Sequence, residues 1–204
     1  MVEMRQKVST TFKKQYEFDE TKTTVLDFAC GNGSISRELA GDSKSIVGVD
    51  ISQTLVDSYN KRVSDQGISP DKMRAVCVEL KGEEGELDGL KFDVVVCSAA
   101  YHHFENVANM TKILTFFLKP GGVLLVLDIL DPEDINEGTS GTSGSLFPAE
   151  FHHIVSHKKG FKTEDIRKIF EGAGLTCSID TSIHTELHGQ DVVLFVARGQ
   201  KPAT

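Results

Sequence analysis

Val25-Leu26-Asp27-Phe28-Ala29-Cys30-Gly31-Asn32-Gly33 runs from an apolar, β-rich segment straight into a glycine turn, and the residues from Ser34 to Ala40 then read as a helix. A strand, a glycine turn and a helix in this order form the ligand-binding corner of doubly wound α/β folds. There the bare amides and the helix N-terminus favour an anion. Asp27 changes that expectation. A carboxylate at the mouth of such a turn repels a pyrophosphate and attracts a ligand with positive charge and amino-acid-like donors. The nicotinamide fingerprint also needs a third small position, and Gly31-Asn32-Gly33-Ser34-Ile35-Ser36 ends in serine instead.

Outward from this turn, apolar β-rich runs recur at 25–28, 45–49, 74–78, 92–97, 123–127, 175–182 and 192–197. The first five are short and nearly continuous in hydrophobicity, as expected of parallel strands covered on both faces. Helical patterns lie between them. Leu55, Tyr59 and Val63 recur every four residues before Gly67 and Pro70. Val107, Met110, Ile113, Leu114 and Phe117 form a stripe that Lys119-Pro120-Gly121-Gly122 should stop, and Thr163 opens a helix that closes at 172–174. This alternation predicts right-handed crossovers in one α/β domain spanning 1–204, a doubly wound, Rossmann-like, seven-stranded sheet. The sheet should be mostly parallel, with an antiparallel terminal hairpin. One segment breaks the rhythm: about 131–160, acidic and then Gly/Ser/Thr-rich at 138–145, is either a surface loop or a lid at the carboxyl edge of the sheet.

The 204 residues carry a net charge of −8, with 39% hydrophobic and 25% charged side chains. This balance fits a globular chain and disfavours a nucleic-acid backbone as partner. No apolar run is long enough to span a bilayer, and no secretory h-region stands at the start, so no membrane partner and a cytoplasmic location are expected. Cys30, Cys77, Cys97 and Cys177 lie in or beside strand-like runs without metal-ligand spacing, and read as reduced, buried small hydrophobes. Monomer and homodimer both stay open.

Polar groups follow four successive strands. Asp50 ends the second, about 20 residues past the glycine turn, where an acid accepts both ribose hydroxyls. Glu79 follows the third with Leu80 beside it, where they would meet an adenine edge, and Ser98 follows the fourth.

Together these resemble the class I S-adenosylmethionine-dependent methyltransferases over nearly the whole chain. The likeness rests on the 25–33 stretch, Val-Gly-Val-Asp-Ile-Ser at 47–52, Phe-Asp-Val-Val-Val-Cys-Ser at 92–98, Tyr-His-His-Phe at 101–104 and Leu-Lys-Pro-Gly-Gly at 118–122. It is greatest toward compact metabolite enzymes similar to the quinone-biosynthesis methyltransferases. S-adenosylmethionine suits the turn, being dinucleotide-sized, with an ammonium and a sulfonium and no phosphate. The resemblance implies that Gly31, Asn32 and Gly33 admit the cofactor's backbone-facing parts and that Asp27 steers its ammonium. Ala29 stands where many members have glycine. Asp50 would hold the ribose, Ile51 would pack on the adenine, Glu79 and Leu80 would line its pocket, and Ser98 would flank the methionine moiety. A helix over the N-terminal stretch would lie across the cofactor mouth, with Phe12 or Tyr16 touching ligand.

The acceptor is less legible. Methyltransferases of planar nitrogens often carry Asn/Asp/Ser-Pro-Pro-Tyr/Phe after the fourth strand. Ser98-Ala99-Ala100-Tyr101 lacks both prolines, which points to a different small-molecule acceptor. His103 and His102 are the candidate general bases for an oxygen nucleophile, since histidine titrates near neutrality, with His103 slightly preferred. On a helix, His153 and His157 would share a face as a possible metal pair, although no third ligand accompanies them and no metal is expected. The alternatives are a nonenzymatic S-adenosylmethionine-binding subunit and a nicotinamide-dependent oxidoreductase.

Overall fold

The computed structural model describes residues 2–135 and 145–204. The nine residues 136–144 include nearly all of the Gly/Ser/Thr-rich 138–145 stretch, which lies outside the described residues.

The elements follow in the order α1 (Val2–Gln15), β1 (Thr24–Phe28), α2 (Ser34–Leu39), β2 (Ser45–Asp50), α3 (Gln53–Asp65), β3 (Met73–Cys77), β4 (Phe92–Ser98), α4 (Val107–Phe116), β5 (Leu118–Ile129), α5 (Pro132–Ile135), α6 (Thr163–Gly172), β6 (Thr176–Leu187) and β7 (Gln190–Gln200). They build a seven-stranded sheet of order β3-β2-β1-β4-β5-β7-β6. β1 pairs in parallel with β2 and β4, while β5 and β6 flank β7 antiparallel. The predicted α/β architecture with its terminal antiparallel hairpin is the one observed.

The near-continuous hydrophobicity of the central strands has a direct structural reason. Val25, Val94, Val96 and Leu125 pack toward α1, α2 and α3, where Phe12, Leu39 and Tyr59 meet them. Leu26, Val95, Leu124 and Val126 face α4 and α6, against Leu114, Phe117 and Phe170. Each fully buried side chain of this size contributes about 1.5–3 kcal/mol, so both faces of the sheet resist a register slip.

Three local expectations change. Lys119-Pro120-Gly121-Gly122 follows the end of α4 as expected, but β5 begins ahead of it rather than at 123, because Leu118 pairs with Phe92 and the register then shifts before Val94 in a bulge. α3 turns Val56, Tyr59 and Val63 inward, so Leu55 of the predicted stripe is partly exposed. Cys30 and Cys97 are buried, but Cys77 is exposed because β3 is an edge strand, and Cys177 is half-buried.

The glycine turn is braced from below. Gly33 has φ +77°, and a Cβ there would lie 2.6 Å from the ring of Tyr59. That ring is fully buried and cannot yield. Gly31 has φ +54° with nothing within 4 Å of the corresponding position. Gly33→Ala is therefore expected to cost about 2 kcal/mol, from left-handed strain plus overpacking. Thermal unfolding should show this as a drop of about 6 °C. Gly31→Ala should cost only the strain, about 1 kcal/mol.

Candidate active site

The sheet order reverses between β1 and β4, and the loops after them diverge at the carboxyl edge. A cavity of about 730 Å³ opens there. Its wall includes Asp27, Ala29, Gly31, Asn32, Ser98 and His102, from the two neighbouring strand ends. Ala29 and Ala99 both take left-handed backbone conformations, at φ 55° and 53°, immediately after β1 and β4. Each alanine carries the Cβ penalty of that region, and both line the cavity.

Asp27 is on the α1/α2 side of β1 because side chains alternate along the strand. It is 2% exposed, and its Oδ2 accepts a 2.5 Å hydrogen bond from the Ser36 hydroxyl. Burial, with a smaller push from Asp50, raises its pKa to about 6 against the lowering effect of Ser36. Asp50 supports the turn from β2. Its Oδ2 accepts from the Gly31 N–H at 2.9 Å, and its Oδ1 accepts from the Ser52 N–H at 2.9 Å. Beside it Ile51 is 78% exposed, an apolar side chain held in solvent next to a carboxylate.

On the other side of the cavity, His102 follows β4 in a single helical turn over Tyr101–His103. Its Nδ1–H donates to Asp128 Oδ1 at 2.9 Å, and its own backbone N–H donates to Asp128 Oδ2 at 3.1 Å. A carboxylate only accepts, so this bond leaves the lone pair on Nε2. Asp128 is wholly buried in β5 and also accepts from the Ile129 N–H at 2.8 Å.

Residues 145–161 pack across this edge as a cap. The Ser156 and His157 N–H groups donate to the His102 carbonyl at 2.9 and 3.0 Å, and the Phe147 ring lies 4.8 Å from the His102 ring. This part of the chain is not an α-helix, so His153 and His157 share no helix face. The His152 and His157 Nε2–H groups donate to the carbonyls of Phe147 and Phe104 instead.

Several residues singled out in the sequence stand elsewhere. His103 is exposed, and its Nδ1–H donates to the Ile154 carbonyl at 2.7 Å, so it braces the cap rather than facing the cavity. Tyr16 packs edge-on against Phe18 and lines a groove with Thr23 and Asp93, at the amino edge of the sheet. The reason is length: a helix of 14 residues spans about 20 Å, so its two ends lie near opposite edges. Arg5 and Val8, from the other end of α1, reach the cavity, while Phe12 is fully buried. Glu79 is exposed beyond the edge strand, and Leu80 is buried in the core against Phe28 and Val49 rather than lining the cavity.

Residues 26–124 match the family model described as "Methyltransferase domain". An uncharacterized methyltransferase of Schizosaccharomyces pombe is 37% identical over 157 residues, covering 75% of this chain and 53% of that protein. A ubiquinone biosynthesis O-methyltransferase of Rickettsia canadensis is 26% identical, covering 54% of this chain and 44% of that one. Residues 26–124 form a methyltransferase domain. Magnesium protoporphyrin IX methyltransferase from Synechocystis, solved with bound S-adenosylmethionine, shares the fold at a TM-score of 0.66 and 18% identity, covering 98% of this chain and 79% of that one. The chain spans about half the length of the curated relatives it matches.

Within this methyltransferase fold, Asp128, Phe147 and Arg5 are cavity residues that motif reading passes over. Asp128 had a signal, a lone acid between Leu127 and Ile129 in an apolar run. Arg5 had one too, standing at i−3 from Val8 and i−7 from Phe12 on one stripe of α1. Phe147 had none, because it reaches the cavity through the fold of the cap.

Proposed function

We propose that this chain transfers a methyl group from S-adenosylmethionine to an oxygen of a small organic acceptor. The observation that carries the reading is the buried carboxylate of Asp27 in the same cavity wall as the open backbone at Gly31. A phosphate-bearing cofactor would meet that charge unfavourably, while an amino-acid ammonium would neutralise it. The residues present fit the cofactor: no side chain stands over Gly31, Asp50 offers its remaining lone pairs, and Ile51 offers an apolar surface for a planar ring. Asp27 would hold the ammonium, Gly31, Asn32 and Gly33 the turn against methionine and ribose, Asp50 the ribose hydroxyls and Ile51 the adenine. Ser98 would flank the methionine portion, with Glu79 at the outer rim. When bound, the cofactor supplies an electrophilic methyl group on a sulfonium.

The remaining work falls to the chain. Phe147 and the cap over 145–161 close one side of the cavity and exclude water, which favours a displacement that needs alignment more than covalent catalysis. His102, its tautomer set by Asp128, takes a proton from an acceptor hydroxyl at Nε2. The four free cysteines fit a reducing compartment. We place the reaction in the cytosol, carried out by a monomer or homodimer.

The test is binding of S-adenosylhomocysteine as a function of pH. The folded-state pKa of Asp27, about 6, lies above its ordinary value of 3.8. The folded protein therefore holds this proton more tightly than the unfolded chain, and stability falls as pH rises through that window. Above it, the unpaired buried charge costs up to about 3 kcal/mol. A bound ammonium offsets that cost and favours the ionised carboxylate. Calorimetry should show affinity constant near neutrality and falling by up to about tenfold per unit below about pH 6, with a flat profile in Asp27→Asn. Binding of NAD in place of S-adenosylhomocysteine would defeat the functional reading. A wild-type affinity unchanged down to about pH 5 would remove only the role of Asp27.

A further inference from the structure

β3 and β6 are the two edges of the sheet, and their backbones are closed to different extents. An open edge offers unpaired N–H and C=O groups to any strand that can reach it. On β3 the Asn60 side chain stands in for a further strand. It accepts from the Ala75 N–H at 2.8 Å and donates to the Ala75 carbonyl at 2.9 Å. The first part of β6 is closed as well: Arg167 Nη1–H donates to the Cys177 carbonyl at 3.0 Å, and the Ser182 N–H donates to Asp180 Oδ1 at 2.8 Å. The register shifts between Asp180 and Ile183, and beyond that point 183–187 pair with β7 alone. The turn fixes which of their backbone groups stay free. His188 and Gly189 both have positive φ, at 50° and 78°, so the flanking Leu187 and Gln190 exchange the closing hydrogen bonds. Alternation then gives Thr185 and Ile183 to β7 and turns the N–H and C=O of His184 and Glu186 outward. Among the described residues nothing bonds to those outward groups.

We propose that 183–187 pair antiparallel with the same segment of a second copy of this chain, centred on Thr185. In that register His184 and Glu186 of each copy exchange backbone hydrogen bonds with Glu186 and His184 of the other. Their side chains meet on one face as acid and base. On the other face Ile183 opposes Leu187, and Thr185 opposes itself on the two-fold axis. A slip of two residues either way would set His184 against His184 or Glu186 against Glu186, so charge selects the register. The single chain also lacks something the second copy supplies. Glu186 lies opposite Asp191 across the hairpin, and among the described residues neither carboxylate forms an ion pair. Like charges in that position repel, and a histidine from the other copy relieves them. Thr185 and Leu187 line the cavity with Val192 and Leu194 of β7, so the pairing braces that wall of the site in each copy.

Sedimentation velocity on the full chain should show a weak dimer, half-associated at roughly 10–100 μM, because so short a ladder makes a small interface. Glu186→Lys and His184→Glu should each weaken association by about tenfold or more, since neither leaves an acid opposite a base. The double variant restores an acid–base pair and should recover the dimer. Both positions are exposed, and thermal unfolding checks that the variants fold. The register is read by Thr185→Cys in a Cys77→Ser background, because Cys77 is itself exposed. Residues that face each other on the axis are close enough for a disulfide, so mild oxidation should give a covalent dimer. His184→Cys should not cross-link, since its counterpart lies diagonally, about 7–8 Å away. A chain that stays monomeric up to about 300 μM overturns the proposal. So does a dimer that Glu186→Lys leaves unchanged, or one that Thr185→Cys fails to cross-link.

Discussion

His102→Ala is expected to lower kcat by about 10²–10⁴, or roughly 3–5 kcal/mol, with donor affinity nearly unchanged. The loss follows from the position of Nε2. Asp128 accepts the Nδ1 hydrogen at 2.9 Å, so the nitrogen left with a lone pair belongs to a ring in the cavity wall. Asp128→Asn should fall in the same range, because an amide no longer dictates which nitrogen carries the hydrogen. His103→Ala should leave kcat within a few-fold, since its ring serves the Ile154 carbonyl outside the cavity. The measurement is S-adenosylhomocysteine release over a panel of phenols, enols and amines. Wild-type turnover by His102→Ala would show that the acceptor arrives already nucleophilic and that the dyad only holds the segment after β4.

Asp50→Ala should weaken S-adenosylhomocysteine binding by about a hundredfold, close to 3 kcal/mol, through two lost charge-assisted bonds to ribose hydroxyls. The variant has a second consequence, because Asp50 also accepts from the N–H groups of Gly31 and Ser52. Its loss frees the cavity-facing turn, so unfolding temperature should fall as well. Asp50→Asn separates the two effects: it keeps an acceptor for the turn but loses the charge, and should cost about tenfold in affinity. A variant that melts lower yet binds the ligand as wild type does would make Asp50 a brace for the turn and nothing more.

These two sites differ in how far they could be read from residues alone. Asp27, Asp50 and the glycine turn are legible because strand, turn and helix are neighbours in the chain, and a strand end dictates where its next side chain goes. His102 and His103 are adjacent and chemically identical, so the slight preference for His103 had no packing behind it, and it is His102 that lines the cavity. The choice falls to Ser156 and His157, some fifty residues later, whose N–H groups clamp the His102 carbonyl. Tyr16 and Arg5 divide similarly. Both belong to the N-terminal stretch, and the direction in which α1 crosses the sheet decides which reaches the ligand edge. The possible metal pair His153 and His157 shares no helix face because this part of the chain is not an α-helix, and His157 donates to the Phe104 carbonyl in the segment after β4.

What the residues alone determined is the alternation of short apolar strands with amphipathic helices, the seven-stranded doubly wound sheet, and a binding corner that favours a cation-bearing cofactor. Those follow from periodicity and from local backbone chemistry, which act over a few residues. Tertiary structure decided the rest of the cavity wall: Asp128 against His102, Phe147 beside the His102 ring, and Arg5 in the same wall as Asp27. Each of these contacts joins segments far apart in the chain, and which side chain meets which depends on packing and hydrogen bonding across the folded sheet edge.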